Sequence, residues 1–136
     1  MRPPLEKSVP SLAAAALVAL IAAVHFEQYV DFMSVPSVGA LFLLNAAGGA
    51  GLACALLSRE RQLRRVAAVG AIGLAAGSLV SIAVALSGNF LGYSEPTLRL
   101  PIVIAILAEA VAIPVLIRTL VRERPTATKL TVAGPR

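Results

Sequence analysis

The chain has no tryptophan, one cysteine and one histidine, and only 14% of its residues carry a formal charge. Each scarcity excludes something. Cys54 alone cannot close an intramolecular disulfide or build a CxxC metal or redox motif. His25 without a second histidine or a cysteine pair is a poor metal signature. Soluble domains carry about 25% charged residues, so a chain this poor in charge cannot dress a water-facing surface. Aromatics are scarce too, which leaves no aromatic-interleaved basic face for nucleic acid despite a net charge of +5.

What is present is apolar. Hydrophobic residues make up 58% of the chain and the mean hydropathy is +0.86. The mass is carried by alanine, leucine, valine and glycine, as in membrane helices packed through small residues. The sequence belongs to the membrane class.

The charges that exist punctuate the apolar runs. Residues 1–8 form a short basic, proline-containing lead, expected to be cytoplasmic. Four helices are expected to follow, at about residues 9–30, 37–57, 66–87 and 97–121, together a transmembrane domain over residues 9–121. Each approaches or exceeds the roughly 20 residues that cross about 30 Å of hydrocarbon. The basic start and alanine-rich first run also resemble a signal peptide. No small-x-small site stands directly before His25 or Phe26, where cleavage would fall, and more spans follow, so an uncleaved first helix is expected. Pro36 suits a helix start, where its missing amide donor costs nothing. Pro96 marks the approach to the fourth helix. Pro114 predicts a kink that frees the carbonyl of Ala110, beside Glu109. Residues 122–136 read as a basic, disordered tail.

Between the second and third runs lies Ser58-Arg59-Glu60-Arg61-Gln62-Leu63-Arg64-Arg65. Each of its four arginines would cost about 2.5 to 3.5 kcal/mol at the centre of a bilayer, so this segment is expected as a turn in water. The positive-inside bias makes that water cytoplasmic. In this threading Arg99 is the only one of twelve cationic residues outside, together with Glu27, Asp31 and Glu95. Both termini are therefore expected inside a bacterial plasma membrane.

Association of such helices needs close contact, because lipid supplies little hydrophobic force between them. Gly73, Gly77 and Ser81 recur at four-residue intervals on the third helix, and Ala47, Gly51 and Ala55 on the second, with Gly48 and Gly49 beside them. The two faces are expected to pack, so that Gly77→Leu would disrupt the bundle. Cys54 is expected as a packed thiol.

Polar residues inside the runs are the candidates for function. His25, Gln28 and Tyr29 share a face near the outer end of the first helix. Asn45 lies about 13 Å into the second helix and Glu109 about 15 Å into the fourth, at 1.5 Å per residue. Ser78 and Ser81 share a face of the third. His25, Asn45, Ser78, Ser81 and Glu109 could therefore converge in the outer half or near the middle of the bilayer. An intramembrane carboxylate is a functional candidate by default. Glu109 is expected either hydrogen-bonded to Asn45 or a serine, or paired with His25. Tyr29 and Tyr93 read as interfacial anchors. No phosphate loop or nucleophile motif is present.

The segments Ala23-Val24-His25-Phe26-Glu27-Gln28-Tyr29 and Val35-Pro36-Ser37-Val38-Gly39-Ala40-Leu41-Phe42-Leu43-Leu44-Asn45, with a glycine-rich third helix ending in Gly-x-Phe-x-Gly-Tyr, resemble small four-helix integral membrane proteins of actinobacteria. The resemblance implies membrane location and helix count. It carries over no activity and no catalytic residue.

Taken together, the sequence predicts an all-α, four-span membrane protein whose partners are the lipid bilayer and a second copy or another membrane protein, with no nucleic acid and no cofactor. A non-enzymatic interaction or accessory subunit is the leading expectation. The alternatives are a small proton-linked carrier using Glu109, and a haem-binding or redox subunit around His25.

Overall fold

A computed structural model describes residues 9–123. Four helices account for most of them: α1 (Val9–Asp31), α2 (Pro36–Leu56), α3 (Arg61–Ser87) and α4 (Leu100–Arg122). Each is long and apolar enough to cross a membrane, and among the described residues the only β pairing is an isolated bridge between Phe90 and Tyr93. The protein is an all-helical, multi-pass type. The expected basic lead falls on residues 1–8 and most of the expected tail on residues 124–136, both outside the described residues.

Short connections make sequence neighbours antiparallel spatial neighbours. α1 packs against α2 and α4, and α3 packs against the same two helices. The result is a four-membered ring in which α1 and α3 face each other across the middle.

Two helix starts differ from the sequence expectation. α3 begins at Arg61, five residues earlier than expected, so three of the four arginines lie on a helix and only residues 57–60 connect it to α2. Arginine is a good helix former, and its charge sets where the bilayer ends rather than where the helix ends. Arg64 offsets the crowding of cations: its Nη1 donates to the carbonyls of Ser58 (3.1 Å) and Arg59 (3.0 Å). Its Nε donates to Glu123 Oε1 at 2.6 Å, and Arg61 donates to the Glu123 carbonyl, tying the start of α3 to the end of α4. α4 begins at Leu100, with Pro101 rather than Pro96 in the first turn. Pro114 lies on an exposed face with Ala110, so the carbonyl it frees belongs to the outer side of α4 while Glu109 points inward.

The packed core occupies the half of the bundle near the arginines. Ala14, Val18 and Ile21 of α1 meet Ala53 and Leu56 of α2, Ala67, Ala68 and Ala71 of α3, and Ala108, Ala112 and Leu116 of α4. Alanines let the backbones approach, which is what helices in lipid require. The closest approaches between helices fall at Gly49, beside the expected stripe, and at Gly70, outside it. A Cβ at Gly49 would meet Ala22 Cβ at 3.0 Å, and one at Gly70 would meet Leu52 Cδ2 at 3.0 Å. At Gly51, Gly73 and Gly77 it would meet nothing within 4 Å. The expected seam of Ala47 and Gly51 against Gly73, Gly77 and Ser81 therefore does not form within one chain. Cys54 is likewise exposed rather than packed, beside an alanine-lined groove between α1 and α2.

Candidate functional site

In the other half of the bundle the helices part around a cavity of about 320 Å³. Val24, His25 and Gln28 of α1, Phe42 and Asn45 of α2, Gly73, Gly77, Ser78 and Ser81 of α3, and Ile102 and Ala105 of α4 are among its walls. Gly73 and Gly77 are the reason it exists on the α3 side. Their missing side chains leave space instead of drawing α2 closer.

His25 stands at the inner wall. Its ring is oriented by geometry internal to α1: Nδ1 lies 2.9 Å from the Ile21 carbonyl one turn back, so Nδ1 carries the proton and donates. In the neutral ring Nε2 is then an acceptor, and Ser78 Oγ, 3.1 Å away across the bundle from α3, donates to it. Glu109 of α4 completes the group. Its Oε1 is 3.8 Å from His25 Nε2, within ion-pair range and beyond hydrogen-bond range. Glu109 is 0% exposed, and neither of its oxygens has a hydrogen-bond partner among the described residues.

Of the five residues expected to converge, His25, Ser78 and Glu109 come together. Asn45 and Ser81 stay on the cavity wall. Asn45 reaches none of the three, and Ser81 Oγ donates back to the Gly77 carbonyl at 2.9 Å. A serine, a histidine and a glutamate in one cluster resemble a catalytic triad, but the connectivity is wrong. A triad needs the carboxylate on the histidine nitrogen remote from the serine. Here both Ser78 and Glu109 address Nε2, and a backbone carbonyl occupies Nδ1. Haem or metal ligation through His25 would have to break one of these contacts. Among the described residues no group of three or more metal-ligating side chains forms.

The loop-side end of the cavity is closed by residues that the sequence marks only as topology signals. Asn89 Oδ1 accepts from the Gly92 amide at 2.7 Å, and Phe90 and Tyr93 exchange backbone bonds around Leu91 and Gly92, both at positive φ. This is the tight two-residue turn that glycine favours at its second position. It delivers Tyr93 and Glu95 inward, and the Glu95 amide is anchored on the Ala85 carbonyl at 2.9 Å. Glu95 takes two bonds from Arg99, at 3.2 and 2.9 Å, and one from the Tyr93 hydroxyl. Arg99 also reaches Gln28 Oε1 at 3.4 Å and lies 5.1 Å above the Phe32 ring. Phe32 meets Tyr93 edge-on and Phe42 at 5.6 Å, and Phe42 leads to His25 at 5.9 Å.

The electrostatics of this plug are self-contained. Burial alone would push the Glu95 carboxyl up, but the hydrogen bonds from Arg99 and Tyr93 outweigh it and hold the group below its ordinary value. The bond to Glu95 holds the Arg99 guanidinium above its own. Burial and the neighbouring carboxylate push the Tyr93 phenol up to about 12. The pair was legible as a Glu and an Arg four residues apart. Tyr93 is thus part of the plug, whereas Tyr29 lies beside Phe26, outside the cavity wall.

Two amides in the cavity wall keep unspent polar atoms, Asn45, which no other described side chain bonds, and Gln28. Gln28 is 4% exposed, and its Nε2 has no partner among the described residues. Comparison with protein-family models, curated proteins and solved structures finds no match for this chain.

Proposed function

We propose that this protein is a small proton-linked carrier or binding protein of the bacterial plasma membrane, with both termini on the cytoplasmic face and its cavity in the outer half of the bilayer. The orientation is supported by Arg59, Arg61, Arg64, Arg65, Arg118 and Arg122 gathering at one end of the bundle, while Arg99, at the other end, is neutralised by Glu95.

The observation that carries the functional reading is Glu109. A carboxyl kept for structure alone is hydrogen-bonded when buried, because an unmatched polar group in hydrocarbon is costly. Glu109 is fully buried, neither oxygen is in good hydrogen-bond geometry, and it stands beside Ser78 and 3.8 Å from a histidine whose other contacts set its tautomer. One proton can rest on the carboxyl or on His25 Nε2, and Ser78 can donate to that nitrogen or turn away from it. A ligand in the cavity, whose wall His25 and Ser78 form, would bias that choice. Ligand binding and protonation are then linked.

The test is infrared difference spectroscopy of the protein in nanodiscs between mildly acidic and mildly alkaline pH. The carbonyl stretch of a protonated carboxylic acid is expected in the difference spectrum, absent in Glu109→Gln and displaced in Ser78→Ala. A spectrum unchanged by Glu109→Gln overturns the reading.

An accessory subunit is the second reading, favoured by the groove that Ala15, Ala19, Ala22, Ala46, Ala50 and Ala53 form between α1 and α2. It requires a partner that is released by Ala19→Phe and retained in Glu109→Gln, measured by co-purification.

A further inference from the structure

We infer that the cavity takes a neutral, bilayer-dissolved molecule with an apolar body and an oxygen acceptor, that it enters sideways between α2 and α3 past Gly73 and Gly77, and that Gln28 Nε2 binds the acceptor. The inference deepens the carrier reading and rests on it, in that the cavity is taken as a ligand site.

The route follows from which walls are closed. Toward the loops, Glu95, Arg99, Tyr93 and Phe32 form a plug bonded to α1 and α3. Toward the arginines, α2 and α3 meet where Leu52 lies on Gly70 and Leu74 Cδ1 lies 3.6 Å from a Cβ built at Gly48. Between these closures Gly73 and Gly77 are both exposed and both line the cavity, with open space where a side chain would stand. The surface around this opening carries Leu44, Val80 and Val84, exposed and apolar, as a lipid-facing surface does. A molecule reaching the cavity through it comes from hydrocarbon.

The chemistry follows from which polar groups remain free. Arg99 is committed to Glu95, and Glu95 to Arg99 and Tyr93. The cavity wall therefore offers an anion no unpaired arginine, and it offers a cation no unpaired carboxylate, since Glu109 lies behind His25 rather than on the wall. What remains is neutral: the Asn45 amide on the wall, and Gln28 Nε2, a buried donor without an acceptor, which a carbonyl, ester or hydroxyl oxygen would supply. A volume of about 320 Å³ is near the small end of ligand pockets. A long-tailed molecule would seat its head and leave the tail in the bilayer, through the same opening.

The experiment uses the full chain in nanodiscs doped with a photoactivatable diacylglycerol or the matching photoactivatable phosphatidic acid, with cross-links mapped by mass spectrometry. The neutral probe is expected to label peptides containing residues 24–28 and 73–85. The anionic probe should label them at least about tenfold less, because its charge would be buried unpaired. Gln28→Leu should lower labelling about threefold to tenfold, the worth of one neutral hydrogen bond. Gly77→Phe should abolish it. Gly73→Leu is the second variant should Gly77→Phe fail to fold, judged by its thermal midpoint. Competition by unlabelled diacylglycerol or by an isoprenoid quinone identifies which source of neutral oxygen acceptor is preferred. Equal labelling by both probes, or undiminished labelling in a folded portal variant, overturns the inference. If that happens while the Glu109 infrared band persists, the entry route and ligand class fall and the proton-linked reading survives. Loss of the band with labelling intact gives the converse.

Discussion

The two halves of this bundle are built from the same four helices and nearly the same residue types, yet one is dry and closed and the other is hollow. Near the arginines, alanines and a few leucines from all four helices fill the centre. Near the loops, α2 and α3 separate around a cavity whose wall holds a histidine, a glutamine and serines. Glycine sits in both halves and does opposite things. Gly49 and Gly70 admit a neighbour to within contact, whereas Gly73 and Gly77 admit none. A small residue permits close approach only when the partner helix has something to bring there.

The comparison breaks most readily in the dry half. Leu116, 0% exposed at its centre, should cost about 2–5 kcal/mol as Leu116→Ala, the range for a large-to-small change in a packed core. Thermal unfolding in detergent measures it, and a loss under about 1 kcal/mol would mean that the dry half is no better packed than the hollow one. Overpacking gives a smaller effect with a sharper contrast. Ala68→Leu forces three heavy atoms into a filled position and should cost about 1–3 kcal/mol. Gly77→Leu adds more bulk over open space and should stay within about 0.5 kcal/mol of the parent. If the two variants melt alike, the distinction between the halves is wrong.

Much of this was visible in the sequence, for a reason that also explains what was not. Charge is expensive in hydrocarbon, so uncharged runs bounded by arginine, glutamate and proline give four helices, with ends good to a few residues except at α3. There the arginines that end the span also propagate the helix. Inside against outside is harder, because lipid is as apolar as a core. Hydrophobicity therefore places Cys54 in a helix but cannot say that it is exposed, and a four-residue glycine spacing cannot say whether its gap is filled. The polar residues were informative because lipid tolerates so few. His25, Ser78 and Glu109 could be named from depth and helix face alone. Gln28 and the Glu95–Arg99 pair look in the sequence like a helix face and a topology signal, since what makes them part of the site is the turn at Leu91 and Gly92, a long-range fact that no local pattern carries.

The smallest expected effect is confined to the plug and depends on pH. Glu95 is held below its ordinary value by Arg99 and Tyr93, so the stability it contributes is fully present above the unfolded-chain value, about 4.3, and is lost as pH falls through the lower folded value. Arg99 stays charged through this range, and Tyr93, pushed up to about 12, stays neutral and keeps its hydroxyl proton. Acid therefore removes one charge from the cluster and leaves the other two groups as they were. The Glu95 amide, bonded to Ala85 O, reports on the loop directly. Its hydrogen-exchange protection in nanodiscs, corrected for intrinsic rates, should fall by about twofold to fivefold as pH drops below the unfolded-chain value and through the lower folded one, the scale of a partly exposed ion pair. Amides around Ala68 and Ala71 in the dry half should not change. Glu95→Gln should show the reduced protection at every pH. Protection that stays flat in the parent through this range would mean that the plug is held by its aromatic contacts and backbone bonds alone, and that the pair adds charge balance without adding closure.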